Sequence, residues 1–276
     1  MKDLIIKEIQ AFVNTSPLNY SLDKRYKYFY EPQVGFASIN DPLFLQYKEK
    51  IGEFYLLPTD WLDSEFGPNT SRKGTVISWV LPINEAVIAT NRAETLLPSS
   101  EWSHVRFYGE QFNRALEEHI SKFLSKSGFQ SIAPSISSRW QRVYSDNVGH
   151  ASNWSERHAA YAAGLGTFSL NDALITERGI AHRCGSVITE LVIEPTIRQY
   201  QGIYDYCLHY NSQKCGACIN RCPVDAITKD GHNKDLCFSY SRTQIKPAVN
   251  EIYGVTTPGC GLCQTRVPCE RHIPGK

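Results

Sequence analysis

Eight of the nine cysteines in this 276-residue chain fall between Cys207 and Cys269, and that clustering constrains the fold more than any other feature. A segment with so many sulfurs, four prolines and few aliphatic side chains cannot close on apolar burial alone, so bound metal has to supply the missing cohesion. Disulfides would require an oxidising compartment. The start, MKDLIIKEIQAFVNTS, is broken by Lys7 and Glu8 before a signal-peptide core can form, and it reads as an amphipathic helix. No twin-arginine leader is present and no run approaches the length of a membrane span. The expectation is a cytoplasmic protein with reduced thiols and no membrane association.

Spacing narrows the metal. A zinc ribbon wants two C-x2-C knuckles fifteen to twenty residues apart. Here Cys215 and Cys218 are followed three residues later by Cys222-Pro223, and C-x2-C-x3-C-P is the tail of the bacterial ferredoxin run. In two-cluster ferredoxins the cysteine before proline serves the other cluster. Pro223, with φ preset, is expected to open a helix over PVDAIT that leads away from the first site. A second partial motif, GCGLCQTRVPCE, adds Cys260, Cys263 and Cys269, and Cys237 lies between the two. Gly216 and Gly261 sit where such loops need unusual backbone angles. Two 4Fe-4S clusters need eight thiolates and the tail offers eight. The crossed arrangement puts Cys207, Cys215, Cys218 and Cys269 on one cluster and Cys222, Cys237, Cys260 and Cys263 on the other. Two ligands break the pattern: position 212, where the run should begin, is Ser212, so Cys207 must reach in with His209 as a nearer competitor, and Cys269 ends a C-x5-C spacing. One cluster with spare cysteines, or zinc, are the alternatives.

Upstream, the chain mixes helix and strand signals. GTVISWVLPI, residues 74 to 83, is a short apolar run stopped by Pro82 and reads as a buried strand. Val105, Tyr108, Phe112, Leu116, Ile120 and Phe123 recur at helical spacing and predict a long helix from 105 to 124 whose stripe faces a core. Asn153, three residues before Glu156, has capping-box spacing and predicts a helix over 154 to 163 ending at Gly164. A short strand ALIT, a turn at Glu177-Arg178-Gly179 and a strand through SVITELVIEP follow. A boundary falls near 196 to 206. The length allows one large domain plus a small appendage, and the net charge of +1 with no basic run disfavours a nucleic-acid partner.

The segment ERHAAYAAGLGTFSLNDALITERGIAHRCGSVITELVIEPT resembles the stretch that precedes the cluster motifs in epoxyqueuosine reductases, and VGFASI, TVISWVLPI and the 105 to 127 helix come in the order found there. Members of that family resemble the cores of reductive dehalogenases and use cobalamin in an N-terminal domain fed by two 4Fe-4S clusters. The resemblance therefore implies a cobalamin-dependent reductase. Gly164 and Gly166 in AGLGTF become candidates for close approach to a corrin and Thr167 for a hydroxyl contact to it, with a helix cap and a turn as the bland reading. The family's acidic proton donor falls on His150 here, which can also donate a proton near neutral pH. The chain ends at Lys276 without the helical-repeat tail of longer members, which makes tRNA a poor substrate expectation. Cys184 stays unassigned, a buried small side chain being the plain reading.

The fold expected is an α/β (α+β) N-terminal cofactor and substrate domain over 1–200, followed by a two-cluster bacterial ferredoxin-like domain over 201–276. The function expected is an iron-sulfur oxidoreductase that takes electrons from an external donor such as a ferredoxin or flavodoxin and reduces a small molecule through cobalamin. An electron-transfer protein without cobalamin or turnover is the competing reading, and a zinc-stabilised interaction protein a third.

Overall fold

The computed structural model describes every residue except Asn69, Ser71, Gln213, Pro258 and Lys276. The chain opens with helix α1 (Lys2–Thr15), which buries Ile5, Ile9 and Val13 at four-residue spacing, followed by strand β1 (Gln33–Ser38) and helices α2 (Pro42–Ile51) and α3 (Pro58–Phe66). Strand β2 (Thr75–Pro82), helix α4 (Glu85–Ala93) and the long helix α5 (Ser100–Lys126) come next. The Ser99 hydroxyl accepts from the Trp102 N–H, so α5 starts five residues before the hydrophobic stripe that announces it. Then come β3 (Ser131–Ile132), a hairpin of β4 (Arg142–Ser145) and β5 (Gly149–Ser152), helix α6 (Glu156–Ala162), a hairpin of β6 (Gly166–Phe168) and β7 (Leu174–Thr176), and β8 (His182–Thr189).

The main sheet runs β1-β2-β8-β3 and every pairing is antiparallel, so this part is α+β and not a parallel α/β fold. Strand β2 is buried along its whole length. Its Val76 and Val80 face a core built with α2, α3 and α6, while Ile77, Trp79 and Leu81 face a second core built with α1, α4 and α5. A strand covered on both faces reads as a continuous apolar run, which is why 74 to 83 shows no alternation. Strand β8 pairs with β2 from Thr189↔Thr75 to His182↔Pro82, so it begins and ends earlier than SVITELVIEP suggests. Alternation along β8 sends Arg183 toward the α5 face and Cys184 toward the α6 face.

Helix α6 differs from expectation at one end and agrees at the other. Ser155 holds the N-cap position and Asn153 is used elsewhere, accepting from the Gln141 N–H and donating to the Arg139 carbonyl. At the C-terminus, Gly164 (φ 81) donates to Tyr161 O and Leu165 N to Ala160 O, the two bonds of a Schellman cap.

The tail holds α7 (Leu208–Ser212), α8 (Ala217–Asn220), a small hairpin of β9 (Ile227–Thr228) and β10 (Gly231–His232), α9 (Lys234–Tyr240), a wide turn of helix over Ser241–Ile245 and α10 (Lys246–Tyr253). PVDAIT is not a helix. Pro223 opens a tight turn, Asp225 takes a positive φ of 53°, and the chain enters β9. A preset φ near −65° suits the second position of a turn as well as the first turn of a helix. The tail shares a core with the body: Tyr200, Tyr206, Cys207, Ile227, Val267 and Ile273 pack in the α6-side cluster. Among the described residues, no helix is long and apolar enough to cross a membrane.

Candidate functional site

All nine cysteines are free in this structure. Cys207, Cys215, Cys218 and Cys269 line one small cleft, with Leu170 and Ile180 of the body closing its apolar wall. Cys207 directly precedes α7, Cys215 lies two residues before α8 and Cys218 within it, and Cys269 is in the closing loop, where its carbonyl accepts from Ile180 N at 2.9 Å. Burial pushes the Cys218 thiol up to about 12, with Cys207 and Cys215 adding to the effect, and the Cys269 thiol is raised by burial and then by Cys218, Cys207 and Cys215. His209 also lines this cleft, but its ring nitrogens lie 3.0 Å from the Cys215 carbonyl oxygen and 2.9 Å from that of Lys229. Backbone contacts occupy both nitrogens.

The other four sulfurs form a separate neighbourhood. Cys260 is pushed up to about 12 by burial, with Cys237 and Cys222 contributing, and Cys263 is raised by burial, Cys260, Cys237, Cys218 and Cys222. Cys222 Sγ accepts from the Ala226 N–H at 3.2 Å, made possible by the turn at Pro223. Gly261 (φ 63) bends the loop between Cys260 and Cys263 directly over the Trp102 ring, where a Cβ would meet the indole. Gly216, by contrast, has φ −144° and needs no glycine on conformational grounds. Among the described residues no three His, Cys, Asp or Glu side chains converge closely enough for a single metal ion. The donor chemistry fits a larger group: soft sulfurs in fours, of which Cys218, Cys260, Cys263 and Cys269 are driven toward the neutral thiol by burial and by neighbouring sulfurs, a cost that binding as thiolates to a metal offsets.

His150 lies on β5, outside both sulfur groups. Its ring stacks on Phe238 at 3.8 Å and meets Tyr144 edge-on, and Nε2 is 3.6 Å from Asp235 Oδ1, which places it against α9, the helix that carries Cys237. The Tyr144 hydroxyl donates to Asp235 Oδ2 at 2.9 Å.

The three residues nominated for a corrin are occupied by the fold. A Cβ on Gly164 would meet the Thr196 side chain, and one on Gly166 would lie 2.2 Å from the Ile175 carbonyl oxygen across the β6–β7 hairpin. Thr167 Oγ1 accepts from Tyr206 N at 2.9 Å. The need for glycine here comes from the chain's own packing.

Known proteins share this architecture. No family model matches the chain. The epoxyqueuosine reductase of Leadbetterella byssophila is 28% identical over 168 residues, which cover 58% of this chain and 49% of that protein. A crystal structure of epoxyqueuosine reductase with an epoxyqueuosine-modified tRNA-Tyr stem loop superposes with a TM-score of 0.54 at 17% identity, over 98% of this chain and 65% of that one. A catabolic reductive dehalogenase gives 0.50 at 16% identity, over 73% and 26%. The curated relatives and the structural neighbours together support an epoxyqueuosine reductase-like family. It spans about half the length of the curated relatives it matches.

In this epoxyqueuosine reductase-like chain a buried acid pair also comes to light that spacing alone does not reveal. Glu117 on α5 is fully buried and accepts from the Ser135 hydroxyl and from Asn113 Nδ2 at 3.4 Å. Both Glu156 carboxyl oxygens are buried, although part of the residue reaches the surface, and neither accepts a hydrogen bond. Burial pushes Glu156 up to about 8, while the Ser186 and Trp154 polar groups nearby act in the other direction. Glu117 is raised by burial and then by Glu156. Cys184, on the same face, is pushed up to about 12 by burial and by Glu156, and its sulfur lies 3.5 Å from His182 Nδ1. His182 Nε2 donates to Leu174 O at 2.8 Å, which leaves Nδ1 free to accept the thiol proton. Cys184 is thus a neutral, buried thiol.

Proposed function

We propose that this chain is an iron-sulfur reductase whose tail holds two 4Fe-4S clusters, one on Cys207, Cys215, Cys218 and Cys269 and one on Cys222, Cys237, Cys260 and Cys263. The observation that carries this reading is the grouping of eight free thiols into two neighbourhoods of four, the first lining one cleft. Such clusters, when bound, supply one-electron transfer at potentials from about −700 to +450 mV, set by sulfur hydrogen bonds and exposure. What the chain supplies is visible. The Ala226 N–H is aimed at Cys222 Sγ, and Arg221, next to it, donates to the carbonyls of Leu262, Thr265, Glu94 and Asn91. That guanidinium ties the Cys263 loop to α4 of the body. Electrons would come from an external ferredoxin or flavodoxin.

Family likeness makes cobalamin the proposed electron acceptor in the body, and His150 the proposed proton donor near the junction. The packing of Gly164, Gly166 and Thr167 favours a second reading, an electron carrier that binds clusters and no corrin. The substrate proposed is a small molecule.

Metal and sulfide analysis of protein made anaerobically with cobalamin tests these together. About eight irons with matching acid-labile sulfide are expected. Cys218→Ser and Cys263→Ser should each remove about half of the iron. Stoichiometric zinc without sulfide would sink the proposal, and cobalt at one per chain separates the reductase from the carrier.

A further inference from the structure

Beside the second sulfur group the body carries a charge imbalance that neither the clusters nor the fold requires. Glu110 on α5 draws three guanidinium groups: Arg106 Nη1 at 3.0 Å, Arg114 Nε at 3.8 Å and Arg183 Nη1 at 3.8 Å. Arg142 on β4 and Arg242 in the tail join them. Arg142 lies within electrostatic reach of both Arg242 and Glu110, and Arg106 feels Arg183 and Arg142. Three guanidinium groups from α5 and β8 thus contact one carboxylate, a formal excess of two positive charges, and Arg142 and Arg242 add to the positive field beside it. Burial raises the nearby Glu117 and Glu156 carboxyls, Glu156 to about 8, which weakens what they contribute against it.

Gathering like charges in a partly desolvated recess is costly unless something anionic occupies it. Burial and the Arg183 charge push the Arg106 guanidinium down to about 9. The side chains of Arg106, Arg183 and Glu110 are 22%, 23% and 32% exposed, and that of Arg114 is 57% exposed, so the recess is half-buried yet open to solvent. Its position is functional. The Arg106 stem lies against Gly259, next to Cys260, and the Arg242 guanidinium sits 5.0 Å from the Phe238 ring centre, next to Cys237.

Planar guanidinium groups arriving from different elements are suited to the oxygens of a phosphate or carboxylate, to which they donate pairs of charge-assisted hydrogen bonds. We propose that the recess formed by Arg106, Arg114, Arg142, Arg183 and Arg242 around Glu110 is a binding site for the phosphate or carboxylate group of a small-molecule ligand. Glu110 holds the guanidinium groups in place and competes with the ligand for them. The site rests on the reductase reading only in that the ligand bound there is its substrate.

The test is anaerobic titration calorimetry of the cluster-loaded protein with inorganic phosphate and with benzoate, at ionic strength held constant with potassium chloride, and with a short RNA oligomer as a third probe. Saturable 1:1 binding of phosphate or benzoate is expected. Removing one guanidinium from a charge-assisted pair should weaken it roughly tenfold in Arg183→Gln and in the more exposed Arg114→Gln. Glu110→Gln should strengthen it, a gain that misfolding cannot imitate. No saturable binding of either small anion, RNA binding with both small anions silent, unchanged affinity in the arginine variants, or equal or weaker affinity in Glu110→Gln each overturns the proposal. Iron measured in the same samples reports separately on the reductase reading.

Discussion

Glu156→Gln should make the protein more tolerant of alkaline pH. The amide keeps the shape of the side chain and removes the ionisable proton. The structure sets the magnitude: burial moves the carboxyl from 4.5 to about 8. At about 1.36 kcal/mol per pKa unit this amounts to about 5 kcal/mol. Its sign follows from proton counting. Between pH 4.5 and 8 the native state keeps a proton that the unfolded chain has released, so stability is fully present below the lower value and is lost as pH rises toward the upper one. Between pH 6 and 8 the wild type should lose about 2–3 kcal/mol through this group that the variant does not lose. At about 2–4 °C per kcal/mol for a chain of this size, that is a difference of roughly 5–10 °C in the pH-induced fall of the melting temperature. Glu117 acts with the same sign, so the variant keeps part of the slope. Infrared spectroscopy gives an independent readout: a carboxylic-acid C=O band at pH 7, shifted in D2O, diminished in Glu156→Gln and titrating near pH 8 in the wild type. Parallel melting curves for the two proteins from pH 6 to 8, with no such band, would refute the assignment of a protonated buried Glu156.

Three further outcomes are expected. Burial pushes His182 down to about 4 from 6.5, so an acid limb worth about 3 kcal/mol should be lost as pH falls from 6.5 to 4, and His182→Gln should flatten it in urea titrations at pH 6.5 and 4.5. Arg221→Gln should free the loop at Leu262–Thr265 from α4, seen as faster amide exchange there with little change in the β2 and β8 amides. Gly166→Ala places a Cβ 2.2 Å from the Ile175 carbonyl and should cost about 1–3 kcal/mol, measured as a lowered melting temperature with unchanged cobalt content.

Where the sequence was informative, a local rule and the tertiary fold agreed. The stripe from Val105 to Phe123 is a core face because α5 lies across the sheet, and Ile5, Ile9 and Val13 do the same work in α1. The cap at Gly164 was legible for the same reason: a left-handed residue after a helix satisfies two carbonyls whatever surrounds it. Misreadings came where one local signal fits two structures. The Asn153–Glu156 spacing suits a capping box, but Asn153 is used by the Gln141 and Arg139 backbone, and Glu156 turns into the core. Pro223 suits a helix start or a turn, and the hairpin partner that decides between them, Gly231–His232, lies several residues further on. The Glu117–Glu156 pair was out of reach, because thirty-nine residues separate them and only the packing of α5 and α6 against β8 makes them neighbours. Arg106, Glu110 and Arg114 at four-residue spacing could have been noticed as one helix face, whereas Arg142, Arg183 and Arg242 reach it through three other segments.

The way the tail is attached bears on how the two halves act together. Its sulfur loops do not hang from a linker. Ile180 N donates to the Cys269 carbonyl, Arg92 on α4 pairs with the buried Glu270, and Gly179 packs so tightly on Arg271 that a Cβ would collide with its backbone. Leu170 and Ile180 of the body form part of the cleft that Cys207, Cys215, Cys218 and Cys269 line. With a core shared between tail and body, relative motion would break buried contacts on both sides, so distances from the sulfur groups to the arginine recess are fixed by packing and not by a docking equilibrium. A body of this kind can therefore exchange its ligand through the open side of the recess without moving the tail. The exposed Arg114 and Arg142, and not the half-buried Arg183 side of the site, are the groups an arriving anion meets first.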